Sequence, residues 1–548
     1  MRKLLVIVLV VFVVTAAAAL GISWNNRATA VKKDFETALA KLNTDNSSFS
    51  YDSLDVSGFP LNMTVSIKNP HIKSNIGDIL KNTNFDRALK VVIGGSVKNW
   101  NEEVNLDGVL RISTNIFSNK FTSSINGNWQ QKSTIGDEIF NIVSTQSSPS
   151  QCSLEIKNEN SIFDNMWDFR VIKFDNDFPQ KIRSLKCQSG SFVSNNADTN
   201  EKISSMDNAD FSVSYSPNNG SEGLGLYIKF NNIEFTKAYD KIYSVYMKNI
   251  APNQPVVPMS LYGKQSGEID VSISLNNLSD WKNIEKSPFN MPFNINVNKY
   301  NISNALYDTD GKFIVHSKPD GDNINFGVDV KSEATTNELF RTVLRMQLSE
   351  TLNQMIDNKL LNKKDNVEQK LATLTEEQRA GLIHSLIPDF ASHGKTEFVL
   401  KGNVAGTKNF GSVDGKLSSL EYSTERYGIK ADGYVKKDEK SLLPEGELNL
   451  VCNKCPTMID DMYDYYNRIR NAINLVDPEQ LSAVPYISPS TVQAVKNFLA
   501  NLQADPANKT DLSFNIQSSG TVNGKNVGQI MGLFNQTVLP TLQQAPAR

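Results

Sequence analysis

Histidine and cysteine are scarce in this chain of 548 residues, which contains only 4 of each. A zinc site needs four ligands, and no two histidines lie at a spacing that would pair them as metal ligands. The chain also lacks the G-x-S-x-G nucleophile elbow, the H-E-x-x-H zinc helix and the G-x-G-x-x-G dinucleotide loop. These absences predict a protein that is not an enzyme, with no catalytic residues, no cofactor and no metal. A hydrolase with dispersed catalytic residues stays open as an alternative.

A strong charge of one sign is missing as well. Lys and Arg number 56 against 59 Asp and Glu, which gives a formal net charge of −3. A chain of this kind has no global positive field to attract phosphates, so DNA and RNA are not expected partners. Its length exceeds what one hydrophobic core usually supports, which predicts two or more domains or one elongated sheet assembly.

Long hydrophobic runs are absent except at the N-terminus, where residues 4–22 contain no charge. At about 1.5 Å per residue, this run of roughly 19 residues just crosses a 30 Å hydrocarbon core. Arg2 and Lys3 precede it and predict a cytoplasmic N-terminus with export of the remainder. We therefore predict a signal-anchor transmembrane helix over residues 1–23 of a single-pass protein of the bacterial inner membrane, with most of the chain in the periplasm. A cleavable signal peptide is the competing interpretation, because Ala16–Ala19 offers small residues for cleavage.

A short amphipathic segment follows the anchor. Its apolar residues recur at three- and four-residue spacing at Val31, Phe35, Ala38, Leu39 and Leu42. This spacing predicts a juxtamembrane helix over residues 24–45 that docks one apolar stripe.

The cysteines fall into two pairs, Cys152 with Cys187 and Cys452 with Cys455. An even count in an exported chain favours two structural disulfides. The second pair is also a CxxC motif between an apparent strand and a helix, an arrangement that imitates thioredoxin-type redox sites. Redox chemistry at Cys452 and Cys455 therefore stays open as the alternative function.

Alternation of apolar and polar residues is the dominant pattern after residue 45, and it is clearest in residues 61–68. Because clean alternation indicates strands with one wet face and one covered face, we expect antiparallel sheets. The predicted fold class is mainly β with helical insertions (α+β), in which elongated antiparallel sheets form a curled groove or a sandwich. Further copies of the pattern lie at 211–215, 226–230, 269–275, 293–297, 324–330, 398–404 and 512–516.

Helical periodicity interrupts the strands in few places. It predicts helices over 337–363, 375–387, 457–476 and 490–502. Thr375 and Gln378 have the spacing of a capping box at the start of the second of these helices. The Asn523-Gly524 dipeptide predicts a hairpin turn between a strand at 512–516 and a second strand at Val527.

These patterns together predict five regions of the chain. The regions are an anchor at 1–23, a juxtamembrane helix at 24–45, a β-rich domain at 46–333, a helical segment at 334–390 and a second β-rich region with two helices at 391–548.

The segment Tyr51–Pro60, followed by an alternating strand to Pro70, resembles the opening signature of an uncharacterised proteobacterial envelope family, domain of unknown function 2125. The order of hydrophobic segment, short helix and Ser-Gly-Phe-Pro strand entry over about the first 70 residues carries this resemblance. Residues 443–450, which lead into a helix, are weakly similar to strand-then-helix units of that family and of the broader envelope class resembling AsmA. The broader class implies elongated β-structures that handle lipid or support envelope assembly, and it implies no catalytic residues.

The Gly58-Phe59-Pro60 motif has a structural explanation of its own. Glycine permits a backbone kink, Phe59 can plug the sheet edge, and Pro60 at a strand start removes a donor that would be unpaired. The function expected from sequence is a non-enzymatic periplasmic protein that binds lipid or scaffolds envelope assembly. Its expected partners are the inner membrane and phospholipid, and protein partners are unknown. Sequence alone does not distinguish an open groove from a closed sandwich.

Overall fold

The computed structural model describes residues 24–26, 28–58, 62–81, 100–115, 120–156, 182–218, 221–250, 256–275, 292–357, 371, 373–387, 394–407, 411–441, 443–476, 484–505, 508 and 510–543. The chain divides into two compact units. Unit 1 comprises the described residues within 1–216, 224–254 and 258–267, and unit 2 comprises those within 217–223, 255–257 and 268–548.

The predicted anchor over residues 1–23 lies outside the described residues, as do Phe59 and Pro60. Within the part of the chain that the structure describes, no helix combines the length and the apolar character needed to cross a membrane.

The fold is mainly β with antiparallel pairing, as the sequence predicts. In chain order the strands are β1 (Ser47–Ser50), β2 (Ser53–Ser57), β3 (Asn62–Lys68), β4 (His71–Asn75), β5 (Trp100–Asn115), β6 (Lys120–Ile135), β7 (Glu138–Gln146), β8 (Ser150–Ile156), β9 (Ile182–Ser189), β10 (Phe192–Asn196), β11 (Lys202–Met206), β12 (Asn208–Asn218), β13 (Ser221–Phe235), β14 (Lys264–Leu275), β15 (Phe293–Ser303), β16 (Tyr307–Ser317), β17 (Asn323–Thr336), β18 (Gly394–Thr407), β19 (Val413–Thr424), β20 (Gly428–Lys437), β21 (Glu445–Asn453) and β22 (Leu512–Gln517).

Helices are fewer and cluster toward the C-terminus. They are α1 (28–40), α2 (Ile76–Lys81), α3 (Lys237–Ile250), α4 (Glu338–Asp357), α5 (Glu376–Leu386), α6 (Cys455–Val476), α7 (Pro489–Leu502), α8 (Val527–Thr537) and α9 (Leu539–Gln543), with a 3-10 turn at Met259–Tyr262.

The core of unit 1 forms where α1 packs on the sheet. Strand β3 pairs with β2 on one side and with β5 on the other. Its alternate residues Met63, Val65 and Ile67 are at most 3 % exposed, and Val31 of α1 packs into the same cluster. The amphipathic helix predicted after the anchor is confirmed by this packing. It ends at residue 40, however, and leaves Leu42 on the surface.

Unit 2 is built on an antiparallel meander in which strands β15 to β22 pair in chain order. Side chains alternate between its two faces, one of which is apolar and the other charged. A bulge in β19 lets Leu417 and Leu420 share the apolar face although they are three residues apart, because the paired residues shift from Gly433 to Ala431.

Helices α6, α7 and α8 cover one end of the apolar face. The buried residues of this end are Cys452, Cys455, Leu502, Leu512 and Phe514. Side chains from all three helices, including Met458, Phe498 and Ile530, pack against them. This cluster is the main hydrophobic core of unit 2 among the described residues.

Strands β17 and β18 pair along their whole lengths, from Asn323 opposite Thr407 to Thr336 opposite Gly394. The predicted boundary at residue 333 therefore falls within a strand, and strands predicted in separate β-rich regions belong to one sheet. Helices α4 and α5 lie in the segment between these two partners. The sequence could not reveal this, because alternation gives strands but not their partners.

The predicted helices are confirmed with small changes in their bounds. The described part of the first runs from Glu338 to Asp357, and the capping box of Thr375 and Gln378 is present at the start of α5. Helix α6 begins at Cys455, two residues before the predicted start, and α7 begins at Pro489 behind a Ser488 cap.

The predicted hairpin near the C-terminus is half wrong. Asn523 and Gly524 do form a turn, with φ of 48° and 76°. The second strand is absent because Asn526 and Gln529 form a reciprocal capping box that starts α8 at Val527. Asn523 instead lies against β22, where its Oδ1 accepts from the Asn515 N–H at 2.7 Å and its Nδ2 donates to the Ser513 carbonyl at 3.0 Å.

Candidate functional site

The apolar face of the unit 2 sheet is covered at one end only. Beyond the core formed with α6, α7 and α8, the same face continues along β17 to β22 as an open groove. Its volume is about 570 Å³, and its lining is almost entirely apolar. Ligand sites in proteins usually enclose about 300–1,000 Å³, so the groove is large enough to hold a small molecule or a hydrocarbon chain.

Two rows of residues across the strands form the floor of the groove. Strand register places Val328, Gly402, Leu417, Gly433, Leu448 and Ile516 side by side in one row, and Phe326, Val404, Gly415, Val435 and Gly446 in the next. Leu448 and Ile516 are each 36 % exposed and Val435 is 39 % exposed. Apolar side chains at one end of this face therefore contact solvent, whereas those at the other end do not.

Glycines make the floor concave. Within each row they alternate with larger residues along the neighbouring strands, so that the bulk of one residue stands beside an empty position. Side chains at Gly433 would collide with the carbonyl oxygen of Glu447 on the next strand. At Gly415 the nearest atoms are instead the side-chain carbons Val435 Cγ1 at 3.0 Å and Val404 Cγ2 at 3.7 Å. Only the second position could accept a side chain that fills the groove.

The opposite face of the same sheet is charged and internally paired. Glu333 accepts from Lys331 at 2.9 Å and from Lys395 at 3.0 Å, and these hydrogen bonds lower the pKa of its carboxyl group. Lys430 in the same way lies 2.9 Å from Glu421 and lowers the pKa of that group. This face is therefore suited to water, and the groove is confined to the other side.

The covered end is dry by comparison. Tyr427 is 5 % exposed, and burial raises its pKa to about 12. Burial also raises the pKa of Tyr422, on the neighbouring strand. The phenolate form is disfavoured there because little water is available to solvate its charge.

Cys452 and Cys455 form a disulfide inside this covered end. Cys452 lies near the end of β21 and Cys455 begins α6, with their Cα atoms 5.2 Å apart. Both are at most 4 % exposed. Thiol–disulfide exchange requires a thiolate to reach one sulfur, so burial of both argues against fast exchange in the folded protein.

Cys152 and Cys187 form the second disulfide, in unit 1. They are directly opposed on β8 and β9, with Cα atoms 4.0 Å apart. The remaining motif residue that the structure describes, Gly58, has a φ of 103°, and a side chain there would approach the Asn62 carbonyl oxygen. The need for glycine at this position therefore has a backbone cause.

A serine, a histidine and a glutamate meet on the surface of unit 1. Ser50 Oγ lies 3.5 Å from His71 Nδ1, and His71 Nε2 lies 3.0 Å from Glu103. The serine contact is at the limit of a hydrogen bond, and Lys73 also approaches Glu103 at 3.4 Å. Glu103 is thus shared with a lysine, as in an ordinary surface ion pair. Sequence reasoning missed this group because strand pairing, rather than local spacing, brings it together.

The open groove was also beyond reach of the sequence, although one signal pointed toward it. Glycines recur on successive strands at Gly402, Gly415, Gly433 and Gly446. Their alignment into a concave floor depends on register and on the bulge in β19.

Comparisons of the chain with protein-family models, with curated proteins and with solved structures find no match. The resemblance to domain of unknown function 2125 therefore stays a prediction.

Proposed function

We propose that this chain is a non-enzymatic envelope protein that holds the acyl chain of a lipid in the groove of unit 2. The observation that carries the proposal is the single apolar sheet face, sealed by helices at one end and open to solvent at the other. Contiguous exposed apolar surface is costly in water, and proteins that retain it generally use it for binding.

The chemistry of the floor favours hydrocarbon over a polar ligand. Its exposed residues are aliphatic, and the glycines between them leave room without adding polar side chains. Each methylene removed from water contributes about 0.8 kcal/mol, so about ten sheltered methylenes contribute roughly 8 kcal/mol before the costs of association. That gain is comparable to a micromolar dissociation constant of about −8.2 kcal/mol.

The membrane is the natural source of such a chain. The apolar run at residues 4–22 with its preceding basic residues supports anchoring in the inner membrane, with unit 2 in the periplasm. Phospholipid of that membrane is then the proposed ligand. A role as a scaffold for envelope assembly is compatible with the same groove, because lipid would occupy it near its source.

The first test is chemical analysis of the purified full-length protein. We expect mass spectrometry of an organic extract to find co-purified phospholipid or fatty acid in stoichiometric amount. After delipidation, binding of saturated acyl probes should tighten about two- to fourfold per added methylene until the groove is filled. An empty extract together with no uptake from phospholipid vesicles would contradict the proposal.

A matched pair of variants tests the place of binding. Leu448 and Val451 lie on the same strand, β21, on opposite faces, and are 36 % and 37 % exposed. We expect Leu448→Asp to weaken binding of the probe at least tenfold, because it puts a charge on the floor, and Val451→Asp to change it less than twofold. Gly415→Val should also weaken binding by occupying space. Equal effects of the two aspartates would place the lipid elsewhere.

A further inference from the structure

We infer that the groove takes an anionic lipid, whose carboxylate or phosphate is held by Lys437. This inference rests on the proposed function and adds to it the charge and the direction of the ligand. Register carries the argument first: Val435 lies opposite Gly415 in the groove floor, and Lys437 lies opposite Val413, one pair further along the same face. Lys437 is thus the next residue of β20 on the groove side, about 7 Å beyond Val435 at 3.4 Å per residue.

The second step is the state of the lysine. The lysines at 331, 395, 401, 430 and 436 lie on the charged face, and each has a carboxylate partner within 4.0 Å. Lys437 is half-buried, and among the described residues it has no hydrogen bond or ion pair. The acidic residues that follow it, Asp438 and Glu439, do not pair with it either. A half-buried ammonium with no partner beside an apolar floor suits an anion that arrives with its own hydrocarbon.

The third step is orientation. Along the apolar face, Lys437 stands at the outer end, and the core with α6, α7 and α8 closes the other end. Lysine side chains commonly lay their methylenes on apolar surface and keep the ammonium in water. The headgroup therefore lies at the Lys437 end, and the methyl end of the chain points toward Ala431 and Leu450.

The experiment compares two probes with one chain length on the delipidated full-length protein. Palmitate carries the anion, and hexadecanol carries the same hydrocarbon without it. We expect the wild type to bind palmitate at least fivefold more tightly than hexadecanol. Lys437→Met should abolish this preference and leave hexadecanol binding within twofold. The control is Lys436→Met, which removes the adjacent charge from the opposite face, where Lys436 lies 4.0 Å from Asp414, and should keep the preference.

The outcomes separate this inference from the proposed function. Equal binding of both probes by the wild type, or an unchanged preference in Lys437→Met, overturns the role of Lys437 and leaves the groove standing. Failure of both probes to bind overturns the groove as well. Inorganic phosphate is the third probe: if it binds at Lys437 as tightly as palmitate does, the site is for a free anion and the lipid assignment is overturned.

Discussion

The two ends of the apolar face in unit 2 have the same sequence pattern and opposite environments. At the covered end, Leu512 is 1 % exposed and packs beneath helices. At the open end, Leu448 is 36 % exposed and lines the groove. Both are leucines on neighbouring paired strands, so residue type and alternation do not separate them. What separates them is whether a helix from elsewhere in the chain lies above.

This difference teaches that one sheet can serve stability and binding with the same residues. The covered part supplies the core that holds the strands in register. The open part is carried by that register and need not contribute much to stability. Substitutions at the two ends should therefore have separable consequences.

The largest expected effect is at the covered end. Leu512→Ala should lower the free energy of unfolding by about 3–5 kcal/mol, because it leaves a cavity in a sealed core. Leu448→Ala should cost less than about 1 kcal/mol, since its side chain already contacts water. Urea unfolding of both variants checks the contrast, and similar losses in the two would show that the groove end is sealed in solution.

Removal of the buried disulfide should have the next largest effect. Replacing Cys452 and Cys455 together by alanine opens a very short loop, for which chain entropy predicts a loss of about 2 kcal/mol. We also expect a reduction potential below about −300 mV, as is usual for structural disulfides. A potential near that of catalytic dithiols would favour the redox alternative instead and would shift attention from the groove to the covered end.

A smaller effect is expected where Asn523 lies against β22. Asn523→Gly keeps the positive φ of 48° but removes the side chain that bonds to Asn515 and Ser513. The loss should be about 1–3 kcal/mol, because backbone groups of a sheet edge are left unsatisfied. Light scattering should also detect association through the bared strand. A monomer of unchanged stability would show that water replaces the amide without cost.

The smallest effect should come from the charged face. The folded-state pKa of Glu333 is lowered by Lys331 and Lys395, so its contribution is present above the unfolded pKa of about 4.5 and is lost as pH falls through the folded value. Glu333→Gln should therefore slightly reduce the fall in stability between neutral pH and pH 3. The group is fully exposed, so added salt should weaken the effect further. Thermal unfolding at several pH values measures it.

The sequence predicts the elements of this fold well and their assembly poorly. Alternation identified β17, β18 and β22, and periodicity identified α6 and α7, because these patterns reflect which side of each element is buried. The capping box at Asn526 was overlooked because Asn523-Gly524 gave a stronger hairpin signal. The pairing of β17 with β18 could not be read from either strand.

The candidate site depends on the part that could not be predicted. Gly415 and Leu448 are visible in the sequence, but their common position in a groove follows from register across β19, β20 and β21. Lys437 shows the same limit, since it and Lys436 are neighbours of one residue type and lie on opposite faces.

The meeting of Thr336 with Gly394 across β17 and β18 makes residues 337–393 an excisable insertion. The chain leaves the sheet and re-enters it at one point, so a tight turn of a few residues could replace the whole segment without moving a strand. The only evident loss would be at α6, where Ala472 would be stripped of its cover from Leu382. A shortened chain of this kind would keep the groove intact and could be crystallised with lipid.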